Sequence, residues 1–237
     1  LFTTQKGEKS LVVKEWTMLA KALEQPPEKF HGLADQEECY RRRYVDLMTN
    51  DESRNRFFTR SRLIQEIRKY LWDRGFVEVE TPILQDQAGG AAAKPFVSHF
   101  NALDKDCVMR IAPELYLKRL LVGGMNKVYE VGRIFRNEGM DTKHNPEFTT
   151  IELYQAYTDY KGMMDIVTEM YPMLAEKICG SAKITYQGVA LDLGKWERLT
   201  MAEALPLLIR YGFVPVLAHP AELEQKDETT RMLIEAW

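Results

Sequence analysis

FRNEGMDTKHNPEFTTIELYQAY, Phe135 to Tyr157, is the stretch on which the reading of this chain turns. It reads as two strands joined by a loop. Arg136 and Glu138 share parity on the first strand, and Phe148, Glu152 and Tyr154 share parity on the second. Alternate residues of a strand point to one face of a sheet, so these side chains are expected together on one side. The other face carries Phe135, Ile151 and Leu153, which suit a core. Between the strands, Gly139, Asp141, Asn145 and Pro146 are turn formers, and they predict an eight-residue loop from Gly139 to Pro146 that stays mobile until something binds. An amphipathic hairpin with one solvated face is the competing account. Solvated faces favour Lys, Thr and Ser, whereas this one carries a ring, two carboxylates and a guanidinium, so a binding site explains it better. Arg can hold a phosphate or carboxylate bidentately. Phe148 offers a flat apolar surface for a base, and Glu152 with Tyr154 can receive a cation. The pieces suit an anionic nucleotide beside a cationic ligand.

The segments F-R-N-E-G, H-N-P-E-F and I-E-L-Y-x-A-Y resemble the second conserved motif of class II aminoacyl-tRNA synthetases, in the version found in bacterial-type lysyl-tRNA synthetases. GGAAAKPF, Gly89 to Phe96, and RIAPELYLKRLLVGG, Arg110 to Gly124, resemble the amino-acid-binding loop and the strand-to-helix segment preceding that motif. DESRNRFFTRSRLIQEIRKYLWDRGFVEVETPIL, Asp51 to Leu84, resembles the first motif, a long helix and strand that build a dimer interface. The resemblance runs from about Lys21 to Tyr160 and implies an α+β fold, an antiparallel sheet flanked by helices. It also identifies Leu1 to Met18 as the end of an N-terminal OB-fold β-barrel that binds the anticodon.

By resemblance, the activity is ATP-dependent activation of L-lysine to the adenylate, followed by transfer to tRNA(Lys). Arg136 is then the catalytic residue, holding the α-phosphate while the amino-acid carboxylate attacks. Glu138 faces the adenine end, His144 and Asn145 close over the phosphates, and Phe148 stacks beneath the base. Gly90, Glu114, Arg136, Glu152 and Tyr154 form the lysine side, with Glu114 receiving the α-ammonium and Glu152 and Tyr154 the ε-ammonium. No protein nucleophile is needed, so catalysis is positioning and charge neutralisation. The third class II motif, with its glycine-rich strand and γ-phosphate Arg, is absent from these residues. So are the acidic ligands that hold Mg2+ in the family, and no metal ligand is expected within this chain. The sequence therefore looks like a middle piece of a synthetase, with slow or absent adenylation expected of the piece alone. Two alternatives stay open: a paralogue that ligates an amino acid to a protein, and a noncatalytic binding or regulatory module.

With 237 residues, 45% hydrophobic and 28% charged, the chain can bury a substantial core as one large or two smaller domains. Cys39, Cys107 and Cys179 are far apart with no C-x-x-C spacing, which argues against a zinc site or a disulfide framework and for a reducing, cytoplasmic setting. No apolar run approaches the ~20 residues that a spanning helix needs. Net charge is −3, so nucleic-acid contact requires a local patch. Between Arg41 and Arg74, ten Lys or Arg stand against five Asp or Glu, and Arg41-Arg42-Arg43 is the better candidate because the long helix beyond is expected to pack against its twin in a homodimer. His31, His99 and His219 are scattered without metal-binding spacing.

Along the chain, residues 1–24 are expected to be the OB-fold remnant, with a Lys-Gly turn and a strand in which Leu11 and Val13 alternate with Val12 and Lys14. A linker follows over 25–50, marked by Pro26, Pro27 and Gly32. The catalytic core spans 51–199. There Asp51 caps a helix with Phe57, Ile64, Ile67 and Leu71 on one stripe, Gly75 stops it, and Val77 to Pro82 forms a half-buried strand. Gly89, Gly90 and three alanines leave a loop whose backbone can approach a small ligand. Pro113 suits a first helical position, and Met163, Met164, Met170 and Met173 read as helix core. From 200 to 237 a helical insertion or extension is expected.

Overall fold

A computed structural model describes residues 1–28, 32–141 and 143–210, apart from the Ile209 side chain. Its elements run β1 (Phe2–Thr3), β2 (Lys9–Ser10), α1 (Gln36–Arg41), α2 (Arg43–Thr49), α3 (Asp51–Asp73), β3 (Val77–Glu78), β4 (Leu84–Gln85) and β5 (Val97–Phe100). They continue with β6 (Lys105–Met109), α4 (Glu114–Val122), β7 (Lys127–Phe135), β8 (Glu147–Gln155), α5 (Tyr160–Cys179), β9 (Lys183–Tyr186), β10 (Val189–Asp192) and α6 (Met201–Arg210). The content is mixed α+β with antiparallel sheets. Two units divide the chain, Leu1–Arg62 and Leu63–Trp237.

In the first unit, β1 and β2 form a hairpin around the expected Lys6-Gly7 turn, where Gly7 takes φ 81°. The strand expected at Leu11 to Lys14 is not formed. Among the described residues it has no partner strand, and Leu11, Val12 and Val13 are exposed. The 25–50 segment carries more structure than a linker, since α1 and α2 lie in it. Asp35 caps α1 by accepting the Glu37 N–H at 2.8 Å. The basic run is neutralised locally: Arg41 pairs with Glu37, Arg42 with Glu38, and Arg43 with the buried Asp46. That pairing lessens the charge the run can offer an RNA phosphate. The cap of α3 falls one residue earlier than expected, because Asn50 Oδ1 accepts the Ser53 N–H at 3.1 Å and Asp51 is already helical. Phe57 is 45% exposed and does not belong to a buried stripe.

In the second unit, α3 buries Ile67, Tyr70 and Leu71, and the chain turns out of the helix at Gly75 with φ 78°. Tyr70 O–H donates to the Ile166 carbonyl of α5 at 3.1 Å, fixing the two helices. Phe76, Tyr129, Ile166 and Leu174 complete this core, with Val131, Ile151, Leu153, Met163, Met170 and Met173 packed on it. Met163, Met170 and Met173, with Ile151 and Leu153, thus serve packing as expected, whereas Met164 and Phe135 are partly buried and stand outside this cluster. Fully burying a side chain such as Leu71 or Phe76 contributes roughly 1.5–3 kcal/mol. Asp159 caps α5 through the Lys161 and Gly162 N–H groups, and Gly180 in the left-handed region ends it.

The central sheet has the order β3-β7-β8. β7 and β8 pair antiparallel from Lys127↔Gln155 to Phe135↔Glu147, and β3 lies parallel to β7. The strand expected to reach Pro82 stops after Glu78, apart from Val79 N–H donating to the Tyr129 carbonyl at 2.9 Å. Beyond it, Thr81 turns to the Glu130 side chain rather than to backbone: its Oγ1 donates to Oε2 at 2.6 Å. The second sheet is antiparallel, β4-β6-β5. Its inner end meets β7, where Phe135 N–H donates to the Arg110 carbonyl at 3.0 Å. Pro113 sits at the N-cap of α4 rather than inside the helix, and Glu114 is the first helical residue. No helix among the described residues is long and apolar enough to cross a membrane. The helix expected from 200 begins as α6. The rest of that segment, like His31 and His219, lies outside the described residues.

Candidate active site

The pleat puts Glu130, Gly132 and Ile134 of β7 on one face, opposite Glu152, Thr150 and Phe148 of β8. The core occupies the other face, through Tyr129, Val131, Ile151 and Leu153. All the candidate residues of β8 therefore share a face, as their parity required. Arg136 and Glu138 do not sit on the strand, because β7 ends at Phe135. Arg136 N–H still donates to the Pro146 carbonyl at 2.8 Å, so the ladder carries one step into the loop and the guanidinium projects past its end. There Arg136 Cζ lies 5.4 Å from the centroid of the Phe148 ring. Its Nε is buried and has no hydrogen-bond partner among the described residues.

Glu138 is held from the side: its carboxylate accepts the Lys94 N–H at 3.2 Å, and the Asn137 N–H donates to the Lys94 carbonyl at 2.7 Å. The loop closes on Asp141, which accepts the Lys143 and His144 N–H groups at 2.7 and 2.8 Å and lies 2.8 Å from His144 Nδ1. Those two N–H groups, the first above all, and the His144 side chain hold the Asp141 carboxyl below the usual range. The result is a cleft of about 310 Å³ lined by Arg136, Glu138, Gly139, Lys143, His144, Asn145 and Phe148. Every expected nucleotide-side residue borders it. The cleft offers an aromatic plane, a guanidinium with an unmet donor and an imidazole, a donor set that suits an anion attached to a flat ring.

Four residues further along β8, roughly 13 Å at strand rise, stands the second cluster. Tyr154 O–H donates to Glu152 Oε2 at 3.1 Å. Burial pushes the Glu152 carboxyl up, the Tyr154 hydrogen bond opposes this, and the charges of Glu114 and Glu130 add to the rise. Burial and the Glu152 charge also push the Tyr154 phenol up, so it stays a donor at working pH. Glu114, at the start of α4, is held by Lys118 at 2.6 Å, and Lys118 Nζ lies 5.9 Å from the Tyr154 ring centroid. Gly90 takes φ 84°, and a Cβ there would stand 2.9 Å from Glu114 Cβ and 3.2 Å from Ala112 Cβ. The small residues of that loop let it lie against the first turn of α4, which brings Gly90 and Glu114 together.

The sequence reading missed a buried charge network beneath this cluster. Arg110 and Glu130, 2% and 3% exposed, pair at 2.5 Å. Arg110 Nε also donates to the Arg133 carbonyl at 2.8 Å, and Nη1 to Thr81 Oγ1 at 3.0 Å. Two signals pointed there: a lone acid inside the apolar run Val128-Tyr129-Glu130-Val131, and Gly132 in mid-strand, where glycine marks a close approach. A Cβ on Gly132 would collide with Arg110 Nη2. Among the described residues, no group of three His, Cys, Asp or Glu could hold a metal ion.

Lysine–tRNA ligase of Staphylococcus saprophyticus is 55% identical over 206 residues, covering 86% of this chain and 42% of the relative. The Carboxydothermus hydrogenoformans lysine–tRNA ligase is 56% identical over the same shares, and that of Staphylococcus aureus strain Mu3 is 54% identical. The chain thus spans about two fifths of the length of the curated relatives it matches. Residues 35–236 match the sequence profile described as tRNA synthetases class II (D, K and N), and the chain belongs to that family.

Proposed function

We propose that this chain carries the nucleotide and amino-acid side of a lysine–tRNA ligase, which activates L-lysine with ATP and transfers it to tRNA(Lys). The observation that carries the reading is the Glu152–Tyr154 pair, a half-buried carboxylate backed by a phenol and lacking an ion-pair partner among the described residues. A buried carboxylate of this kind rewards a cationic side chain and rejects uncharged isosteres, which would leave it unpaired. The cleft at the loop end supports the other half. Adenine stacks on Phe148, Glu138 faces its exocyclic edge, Arg136 bonds the α-phosphate, and His144 and Asn145 close over the phosphates. Glu114 and Gly90 receive the α-ammonium, with Glu114 exchanging Lys118 for the ligand.

In the first step a lysine carboxylate oxygen attacks the α-phosphorus, a new P–O bond forms, the bond to the β-phosphate bridge breaks, and pyrophosphate leaves. Arg136 neutralises the charge that grows on the non-bridging oxygens. In the second step a terminal hydroxyl of the tRNA attacks the activated carbonyl, and AMP leaves with the bonding electron pair. Mg2+ would neutralise phosphate charge, and among the described residues no group of three His, Cys, Asp or Glu could hold it.

The remaining parts of the proposal are a cytoplasmic location, a homodimer through α3, and residues 1–24 as the end of an anticodon-binding OB-fold. Apolar surface on α3 supports the dimer, since Phe58 and Trp72 are each 67% exposed. The test is amino-acid-dependent ATP–pyrophosphate exchange by the full-length protein, run with each standard amino acid. Lysine alone should support exchange. Exchange with a different amino acid, or with none, would overturn the proposal.

A further inference from the structure

We propose that Arg110 is a positioning residue for lysine selection: by neutralising Glu130 on the same face of the sheet, it lets the Glu152 carboxylate opposite stay charged and aimed at the ligand's ammonium. This deepens the proposed function and rests on its reading of Glu152.

The ladder itself creates the need. Glu130 and Glu152 are direct cross-strand partners on one face. Residues so placed have Cβ atoms about 4.5–5.5 Å apart, and like charges there repel. Glu130 is buried among Thr81, Gly132 and Arg110, so water does not screen its charge. Arg110 is fixed on it from several sides at once, by Thr81, Glu130 and the Arg133 carbonyl. Gly132 gives up a side chain in mid-strand to admit that guanidinium.

The charged and titratable groups that bear on Glu152 are Glu130 from β7, Arg110 from the segment after β6, Glu114 from α4, and Tyr154 from its own strand. Of these only Arg110 is cationic, and it acts on Glu152 in the direction that keeps the carboxylate ionised. Lys118, also on α4, is committed to Glu114. Arg110 itself is only 2% exposed, its guanidinium closed off by Thr81, Glu130 and the β7 backbone. The selectivity of the pocket for a cation thus depends on a residue that does not touch the ligand.

The test measures KM for lysine and for ATP in pyrophosphate exchange by the full-length protein between pH 6.5 and 9. Arg110→Met should raise the lysine KM about tenfold near pH 7, because the uncompensated Glu130 charge then opposes ionisation of the Glu152 carboxyl across the ladder. The loss should shrink as pH rises, and the ATP KM should stay within about twofold. Arg110→Met/Glu130→Gln removes both charges and should recover most of the lysine affinity, since buried ion pairs tolerate replacement as a unit. An unchanged lysine KM in Arg110→Met overturns the proposal, as does equal loss of lysine and ATP affinity. If Arg110→Met does not fold, the double variant decides: recovery supports the proposal, while a tenfold lysine defect, or failure to fold, shows a purely structural role and overturns it. A wild-type protein without lysine-dependent exchange would instead count against the proposed function.

Discussion

At its loop end the β7–β8 ladder leaves Arg136 with a buried Nε that no described residue satisfies, beside Phe148 in an open cleft. At the other end Glu152 stands over a network in which Arg110, Glu130 and Thr81 are already bonded to one another. The first end leaves its cation's Nε without a hydrogen bond among the described residues, a donor that the proposed nucleotide would satisfy. The second end holds its anion in advance, at the expense of burying charges that must balance. A mobile, highly charged ligand such as a nucleotide suits the former, and discrimination among small amino acids suits the latter, because selectivity depends on what is left unpaired when the wrong ligand enters.

Breaking the loop end should have the largest effect. Arg136→Ala removes the donor expected to meet charge in the transition state, so kcat for pyrophosphate exchange should fall by about 10²–10³. Thermal stability should hardly change, because the Nε makes no hydrogen bond among the described residues. Arg136→Lys keeps the charge but not the planar fork and should recover only part of the loss. A variant with normal kcat would dissolve the contrast between the two ends.

Glu152→Gln sharpens the comparison from the other side. The lysine KM should rise by a factor of roughly 30–100, as for loss of one partner of a buried charge pair, while the ATP KM holds. Stability should move the opposite way. The Glu152 carboxyl is raised by burial first, against its Tyr154 hydrogen bond, so the folded protein holds that proton more tightly than the unfolded chain does. Stability associated with the bound proton is present at low pH and is lost as pH rises through the raised value. Glu152→Gln should therefore melt higher than wild type at pH 7 and level with it near pH 4, measured by thermal unfolding at both values.

The parity of Phe148, Glu152 and Tyr154 was legible because a strand's alternation is local, and the core parity of Ile151 and Leu153 followed with it. Arg136 and Glu138 were placed a step too far into the sheet. Their alternation is real, and the Arg136 N–H still meets the Pro146 carbonyl, but β7 itself ends at Phe135. A distant partner ended β3 early, when Thr81 bonded Glu130. Leu11 to Val13 failed for the converse reason: alternation predicts a strand only where another strand is present to pair with it. Arg110 and Glu130 were unreadable as a pair because their juxtaposition depends on the end of β6 docking on β7. Only Gly132 and the lone acid in an apolar run hinted at it.

The smallest effect is expected at the turn that carries His144. Asp141 is exposed and accepts the Lys143 and His144 N–H groups, which hold its carboxyl low. A lowered carboxyl contributes order above the ordinary range and loses it only as pH falls through the depressed value, so the turn should persist at neutral pH and into mild acid. Asp141→Asn retains an oxygen for both backbone donors and removes only the charge beside the imidazole, an exposed pairing of modest worth. The ATP KM should rise about threefold, and the lysine KM should not move. Asp141→Ala deletes the acceptor and should do more, since both N–H groups then turn to water and the His144 backbone loses its anchor. If both variants shift lysine and ATP affinity together, the loop and the far end of the ladder are coupled, and the independence of the two ends is lost.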